Sequence, residues 1–488
     1  MNTSTTPFFS PWRCWLQRSS HPVSPTAQWW RQATLIEIER ECAAGLPDNL
    51  FSPPPCGANS RERIYTLSRT FWCFLWQILQ RQTSCREVVR QVQALFQIHG
   101  AGTVDEGTSA YCQARQRLPL PLLESALAGA ARSAERVTDT GNPGLQGRAV
   151  KVIDGTTLTL ADTAANQRHY PQMANQQPGC GFPLLRLVVL FSLRSGAILA
   201  RHTGNKHVDE RQGLQACHAA LTAGDILLGD RRYGNFVVAV WAVGRGIDLI
   251  ARVPTGSRHV DFRRGRRFGP ADRLVVWHKL YTPAAGFTPA QWAATPDVLP
   301  VRLIRTRVVR AGFRTRQITL VTTLLDPIAY PAEEILRTYL HRWTLELCLD
   351  DLKTTLGMQA LRCRTPSMVQ KELLAFLIAY NLLRWIMAQA ARQEEADLRR
   401  ISFKGTVDAL RHFQIAMTQT CTRKQRQALW RELLRIIATD LVPYRPDRRE
   451  PRAVKHRIKY PHLTRSRHIQ RDRPTRNARR AQSKKRLI

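Results

Sequence analysis

Residues 149–157 read AVKVIDGTT, and this stretch decides the fold. Its first five residues are mostly apolar and β-branched, as in a short buried strand, and the strand is predicted to end at Asp154. A second strand of this kind, residues 225–230 (DILLGD), also ends on an acid, Asp230, and RRYG follows it. The sequence therefore predicts two carboxylates at the tips of two buried strands.

The segment between these strands predicts a hairpin and a helix. The hairpin joins residues 184–193 to residues 197–200, and the helix covers residues 212–223. The order strand, hairpin, helix, strand, helix matches the ribonuclease-H-like fold, an α/β fold whose first and fourth strands are neighbours in a mixed sheet. We therefore expect Asp154 and Asp230 to lie side by side.

A later helix carries charged residues at regular intervals, in residues 339–353, YLHRWTLELCLDDLK. At about 100° per residue, Tyr339, Arg342, Glu346 and Lys353 fall within about 60° of one another. An acid flanked by cations suits a divalent metal held against nucleic acid. The alternative is a surface helix in which Arg342 and Glu346 form an ordinary i,i+4 ion pair.

The spacing Y-x2-R-x3-E-x6-K, with Trp343 directly after the arginine, resembles the signature of the insertion-sequence-four family of bacterial DDE transposases. The surroundings of Asp154 (Asp-x-Thr) and Asp230 (Gly-Asp-Arg-x-Tyr-Gly) are similar to those of the family's two aspartates. The resemblance implies that Asp154, Asp230 and Glu346 form the catalytic triad.

The resemblance also implies the chemistry. The three acids would bind two Mg²⁺ ions per active site, with Mn²⁺ possible and zinc not expected. Tyr339, Arg342, Trp343 and Lys353 would contact the cleaved DNA end. The enzyme would nick at terminal inverted repeats and join the 3′ ends to target DNA, in the family often through a hairpin and with a homodimer pairing two ends.

The same residues are also compatible with other roles. Asp154 could be a turn residue beside Gly155, and Asp230 could cap the following helix. Rival carboxylates are Asp162, Asp209, Glu210 and Asp350, of which Asp350 is the most serious because it shares the helix face of Glu346. As to function, a metal-dependent nuclease of the same fold and a DNA-binding protein with decayed catalysis are the alternatives.

Charge and composition favour a nucleic-acid partner. The 488 residues include 73 Lys and Arg against 37 Asp and Glu, a net charge of +36, which attracts polyphosphate. The longest apolar run, residues 373–388, contains Asn381 and Arg384 and predicts a core helix rather than a membrane span. The eleven cysteines lack a C-x-x-C pair, and the N-terminus does not resemble a secretory signal, so a cytoplasmic, nucleoid-associated protein is expected.

The pattern along the chain predicts seven segments. In order they are an extended arm (1–60), a helical N-terminal DNA-binding domain (61–147), a first part of the catalytic core (148–253), a β-rich insertion (254–326), a second part of the core (327–392), a C-terminal helical module (393–444) and a basic flexible tail (445–488). Within the N-terminal domain, Ser84 is a candidate N-cap.

Overall fold

The computed structural model describes residues 42–52, 64–80, 83–98, 102–139, 144–208, 210–254, 260–284, 288–308, 316–418 and 422–443. Most of the predicted arm and all of the predicted basic tail lie outside these residues.

The described part of the chain begins with four helices, continues with ten strands interspersed with helices, and ends with three helices. The helices are α1 (Leu67–Leu79), α2 (Cys85–Ile98), α3 (Ser109–Arg117), α4 (Leu120–Thr138), α5 (Ala164–His169), α6 (Glu210–Ala216), α7 (Phe236–Val243), α8 (Pro289–Ala293), α9 (Ala332–Asp350), α10 (Pro366–Gln393), α11 (Phe403–Thr418) and α12 (Arg423–Thr439). The strands are β1 (Val150–Leu160), β2 (Leu184–Ser192), β3 (Ile198–Gly204), β4 (Ile226–Gly229), β5 (Asp248–Arg252), β6 (Arg266–Gly269), β7 (Asp272–His278), β8 (Val298–Val308), β9 (Arg316–Thr322) and β10 (Ala360–Leu361).

The strands form one mixed sheet in the order β3-β2-β1-β4-β5-β9-β8-β7-β6, with β10 beside the end of β1. β1 runs parallel to β4 and antiparallel to β2. The prediction that the first and fourth strands are neighbours is confirmed by the pairing of Val150 with Ile226 through Val152 with Leu228. The predicted β-rich insertion supplies β6 to β9, which continue this sheet through the pairing of β9 with β5.

β1 is longer than the sequence predicts. The prediction ends the strand at Asp154, whereas β1 runs on to Leu160. The reason is its pairing, because β2 accompanies β1 as far as Thr159 and β10 pairs with its last two residues. Asp154 therefore lies inside a strand, and the neighbouring β4 ends beside it.

Apolar cores cover both faces of the sheet. Because side chains alternate along a strand, Val152 joins the core that contains α10, and Ile153 joins the core that contains α7. The sheet is thus a central layer between helices.

The central helix α10 is the core helix that residues 373–388 predict. Its length and composition would allow it to cross a membrane, but 94% of its most apolar 18-residue stretch is buried inside the protein. Asn381, which is 0% exposed, accepts a hydrogen bond from Ile198 N (2.8 Å) and donates one to Ile198 O (2.9 Å). The side-chain amide of Asn381 therefore makes hydrogen bonds to the backbone at the open edge of β3, in the way that a neighbouring strand would.

Of the N-terminal helices, α1 and α4 pack on α10, α2 and α3 pack on α1, and all four contribute to the core that contains α10. At the start of α2, Glu87 N donates to Ser84 Oγ (3.2 Å) and Ser84 N donates back to the Glu87 carboxylate (2.5 Å). This reciprocal pair is a capping box, and it confirms Ser84 as an N-cap.

Candidate active site

The pairing of β1 with β4 places two predicted acids at one level of the sheet. The last pair is Val152 with Leu228, and Asp154 and Asp230 each lie two residues further along their strands. Since neighbouring strands are about 4.8 Å apart, both half-buried carboxylates belong to the same small region of one sheet edge.

Local hydrogen bonds orient both carboxylates. Gly155 N donates to Asp154 Oδ1 (2.8 Å), and Arg232 N donates to Asp230 Oδ1 (2.8 Å). The alternative that Asp230 caps the next helix is wrong, because the N-cap of α7 is Asn235, whose side chain accepts from Val238 N (3.1 Å). Asp230 instead closes the turn between β4 and α7.

Two glycines explain the Gly-Asp-Arg-x-Tyr-Gly block around Asp230. A Cβ on Gly229 would lie 2.5 Å from the Cβ of Tyr233, and a Cβ on Gly234 would lie 2.1 Å from the carbonyl oxygen of Arg252. Both distances are too short for a real side chain. The glycines therefore allow the turn after Asp230 to fold against the ends of β4 and β5.

Helix α9 completes the site from one face of the sheet. A cavity of about 260 Å³ is lined by Asp230, Arg231, Arg252, Tyr339 and Arg342. Tyr339 is 2% exposed and Arg342 is 7% exposed. The Arg342 guanidinium lies 5.6 Å from the centre of the Tyr339 ring. The structure thus brings Tyr339 and Arg342 together with Asp230, as buried rather than surface residues.

Arg231 and Arg252 also line this cavity, and neither belongs to the motifs that predict the site. Arg252 is the last residue of β5, and the pairing of Gly229 with Ala251 puts Arg252 level with Asp230. The sequence does contain a signal for Arg252. It is the last residue of a buried strand, just as Asp230 directly follows one, and the carboxyl ends of parallel strands lie at the same end of a sheet.

Burial raises the pKa of Tyr339 above its ordinary value. The charge and hydrogen bond of Arg342 and the charge of Arg252 oppose this shift, whereas the negative charge of Asp230 reinforces it. The Tyr339 phenol therefore stays protonated at neutral pH and keeps a proton to donate within the cavity.

The remaining residues of the signature lie on the same helix and on the turn after it. Glu346 follows Arg342 by one helical turn on α9, but the side chains of residues 343–346, including Trp343, lie outside the described part of the structure. Lys353 is half-buried in a π-helical turn, Asp351–Thr355. The assumption of 100° per residue as far as Lys353 is wrong, because a π turn holds more residues than an α turn.

The rival carboxylates have different surroundings. Asp350 is exposed, and Asp162 accepts a hydrogen bond from Gln167 Nε2 (2.9 Å). Asp209 and the side chain of Glu210 lie outside the described residues. Asp351, which the prediction does not consider, is half-buried, and burial raises its pKa to about 6, with Asp350 adding to the shift and Arg384 opposing it.

The donor set at the sheet edge suits a hard divalent cation. Asp154 and Asp230 supply carboxylate oxygens, which Mg²⁺ and Mn²⁺ prefer. Among the side chains that the structure describes, no three His, Cys, Asp or Glu residues converge as metal ligands. Glu346 is not one of those side chains, so this finding concerns only the two aspartates and their described surroundings.

Known proteins with similar sequences are transposases. Residues 145–382 match the transposase DDE domain family. The chain is 24% identical over 408 residues, 82% of this chain and 88% of the relative, to transposase InsG for insertion sequence element IS4 of Escherichia coli strain K12. A shorter match, 36% identical over 88 residues, joins 18% of this chain to 22% of a probable transposase for insertion sequence element IS5377 of Geobacillus stearothermophilus.

Among solved structures, the piggyBac transposase synaptic complex with hairpin DNA aligns with 90% of this chain and 88% of that chain, at a TM-score of 0.40 and 10% identity.

The domain match and the curated relatives define the class: residues 145–382 match the DDE domain of transposases, and most of the chain is similar to a transposase of an insertion sequence. Within that class, the Y-x2-R-x3-E-x6-K spacing of residues 339–353 (the α9 signature) predicts a resemblance to the insertion-sequence-four family. The match to the transposase of that element, along most of both chains, confirms this resemblance.

Proposed function

We propose that this transposase cuts DNA at the terminal inverted repeats of an insertion sequence and joins the freed 3′ ends to target DNA. One observation carries the proposal: Asp154 on β1 lies level with Asp230, the residue directly after the neighbouring parallel strand β4, and Asp230 shares a cavity with Tyr339 and Arg342 of α9. The α9 signature supports cut-and-paste through a hairpin, in which the first 3′ hydroxyl attacks the opposite strand.

Asp154, Asp230 and Glu346 would hold two Mg²⁺ ions, with Mn²⁺ as a substitute. Such ions activate the attacking hydroxyl and stabilise the leaving oxygen during displacement at phosphorus. The protein's own side chains position the DNA: Arg342 offers a forked pair of donors to a phosphate, and Lys353 adds a point charge. Tyr339 and Trp343 would complete the contact with the cleaved end.

The architecture around the site supports a ribonuclease-H-like assignment. The five strands β3-β2-β1-β4-β5 have the order and directions expected of that fold, with helices on both faces. On this proposal residues 148–253 and 327–392 are the two parts of the catalytic core, and residues 254–326 are the insertion. Residues 61–147 would then bind the element end, and residues 393–444 would form the C-terminal module.

The proposed partner is double-stranded DNA, both element ends and target. A net charge of +36 supports it, as do the names of the relatives, which are transposases of insertion sequences. Two ends must be cut and joined together, so we propose a homodimer in the complex. Its place of action would be the nucleoid, in the cytoplasm.

The proposal is tested with purified full-length protein, Mg²⁺ and a plasmid that carries the DNA flanking this reading frame. Wild-type protein is expected to nick at the element ends and to yield joined products. Asp154→Asn, Asp230→Asn and Glu346→Gln should each reduce both products by roughly 10³-fold or more, on the order of the loss of a main catalytic group. All three should still bind end DNA, because only the metal site is lost.

Asp350→Asn is the matched control, since Asp350 is an exposed acid on the same helix. It should cleave like wild type. Nicks without joined products would indicate a nuclease of the same fold, and DNA binding without any cleavage would indicate decayed catalysis. If Asp350→Asn were inactive and Glu346→Gln active, the third acid would have to be reassigned.

A further inference from the structure

Strands β8 and β9 form a two-stranded ribbon that extends past the end of the sheet where Asp154 and Asp230 lie. Arg252, which is level with Asp230, pairs with Leu320, and Leu320 pairs with Ile304. Beyond that row, residues 305–308 remain paired with residues 316–319. At about 3.3 Å per residue the ribbon extends roughly 13 Å past that row.

The flanking strands end where the ribbon begins. β5 ends at Arg252, and β7 begins at Asp272, which pairs with Ile304. Among the described residues, no β-strand flanks the four outer residue pairs. The first of them, Arg305 with Thr319, still has a backbone hydrogen bond on each side, from Arg305 N to Ala271 O (2.8 Å) and from Val253 N to Thr319 O (2.9 Å), so the three pairs beyond it form the projecting part. Only one strand, β5, separates β4 from β9, so the ribbon starts about 10 Å from the strand that leads to Asp230.

The two faces of the ribbon differ in character. Ile318 is buried and belongs to the core that also contains Tyr339 of α9. On the opposite face, Arg307 and Gln317 are exposed and are direct cross-strand partners. Arg305, two residues before Arg307, shares this face, and its guanidinium lies 3.9 Å from the centre of the Phe262 ring. The core thus holds the apolar face and leaves a polar face outward.

A two-stranded ribbon fits the major groove of B-form DNA, where arginine pairs with guanine and glutamine with adenine through two hydrogen bonds each. We propose that the outward face of the β8–β9 ribbon, through Arg307 and Gln317, reads base pairs of the element end next to the cleaved bond. This inference rests on the proposed function, because it requires duplex DNA at the Asp154–Asp230 edge.

The test uses the full-length protein and a library of duplexes with randomised base pairs, without divalent metal. Sequences that wild type selects are compared with those selected by Arg307→Ala, Arg307→Lys and Gln317→Ala. Arg245→Ala is the matched control, because Arg245 is also exposed but lies in the turn before β5, at the opposite end of the strands.

Arg307→Ala should weaken binding to the selected duplex by about tenfold or more and relax the preference at one base pair. Arg307→Lys should keep binding to unrelated duplexes but also lose that preference, because lysine lacks the forked donors. Gln317→Ala should relax a neighbouring position. Arg245→Ala should select the wild-type sequence.

Unchanged preferences in Arg307→Ala and Gln317→Ala would overturn the proposal, and so would equal weakening on every sequence, which indicates a phosphate contact. If wild type selects a sequence and cuts the element ends while these variants keep its preferences, only the ribbon proposal fails. If wild type selects no sequence and cuts no ends, the proposed function fails with it.

Discussion

At the scale of single residues, three arginines surround one acid at the sheet edge. Arg231, Arg252 and Arg342 line the same cavity as Asp230. The cavity therefore carries excess positive charge where an acid would bind a metal, and such a field favours a phosphate of DNA. Because Arg342 and Tyr339 are buried, their positions are set by packing before any DNA binds.

Asp351 should make stability depend on pH. Its carboxyl is half-buried, and its folded-state pKa is raised to about 6. The carboxyl of the unfolded chain titrates at about 4. Below about pH 4 the carboxyl is protonated in both states, so its burial does not lower the free energy of unfolding. As the pH rises through about 6 the buried carboxyl ionises, and that stability is lost. At about pH 8, the free energy of unfolding of Asp351→Asn should therefore be higher than that of wild type by about 1 kcal/mol, after allowance for solvent screening.

The measurement is urea unfolding at about pH 5 and about pH 8, on either side of the folded-state pKa. The advantage of Asp351→Asn should shrink at the lower pH, and Asp350→Asn, at the exposed neighbouring position, should differ little from wild type at either pH. An advantage of equal size at both values would mean that ionisation of Asp351 is not its cause.

At the scale of elements, a buried arginine of the insertion forms an ion pair within the insertion and a hydrogen bond to the segment before α9. Arg302 on β8 is 1% exposed, and it donates through Nε to Asp272 on β7 (2.8 Å) and through Nη1 to the carbonyl oxygen of Tyr330 (2.6 Å). Arg148 reaches the same tyrosine, through its hydroxyl (3.1 Å). The start of α9 is thus anchored from two sides.

Arg302→Leu should destabilise the protein by about 3 to 5 kcal/mol, because it leaves the Asp272 carboxylate buried without its cation. Cleavage should fall as well, since the segment before α9 loses one anchor. The measurements are urea unfolding and plasmid nicking at a temperature where the variant is folded.

The double variant Arg302→Leu/Asp272→Leu is the control for that substitution. Removing both charges should recover much of the lost stability, while the hydrogen bond to Tyr330 stays absent and cleavage stays low. Equal stability of the single and double variants would contradict a charge-pair origin.

At the scale of the whole molecule, charge is unevenly shared along the chain. Residues 444–488 contain 17 Lys and Arg against 3 Asp and Glu, and all of them lie outside the described residues. The described core reaches Ala438, and Val442 N still donates to Arg400 O (2.6 Å). A chain truncated after Pro443 therefore keeps the packing and hydrogen bonds of the described residues.

Truncation after Pro443 should leave thermal unfolding nearly unchanged and weaken DNA binding at low salt. For each phosphate that the truncated chain no longer neutralises, the slope of log affinity against log salt should become shallower by about 0.9. Titration of plasmid DNA at salt concentrations between about 50 and 200 mM NaCl measures this slope. A slope equal to that of wild type would mean that these residues do not bind phosphate.

Much of the fold can be predicted from local sequence patterns, whereas the features that are predicted incorrectly depend on more than the local pattern. The strands that lead to Asp154 and Asp230 and the core helix α10 are predicted correctly because apolar periodicity is a local property. The length of β1 is not, since it depends on β2 and β10, which pair with it from elsewhere in the chain. The π turn at Lys353 likewise has no signal in the spacing of charged residues.

The sequence by itself indicated the class of enzyme, through the resemblance of its motifs to a known transposase family, and it predicted two aspartates at the ends of neighbouring strands, because short motifs and apolar strand patterns are local properties. Only the tertiary structure decided that Arg252 lies level with Asp230, that Tyr339 and Arg342 are buried beside them, and that a ribbon passes beyond the same edge. The physical reason is that strand register and helix packing join residues distant in the chain, and no local pattern specifies them.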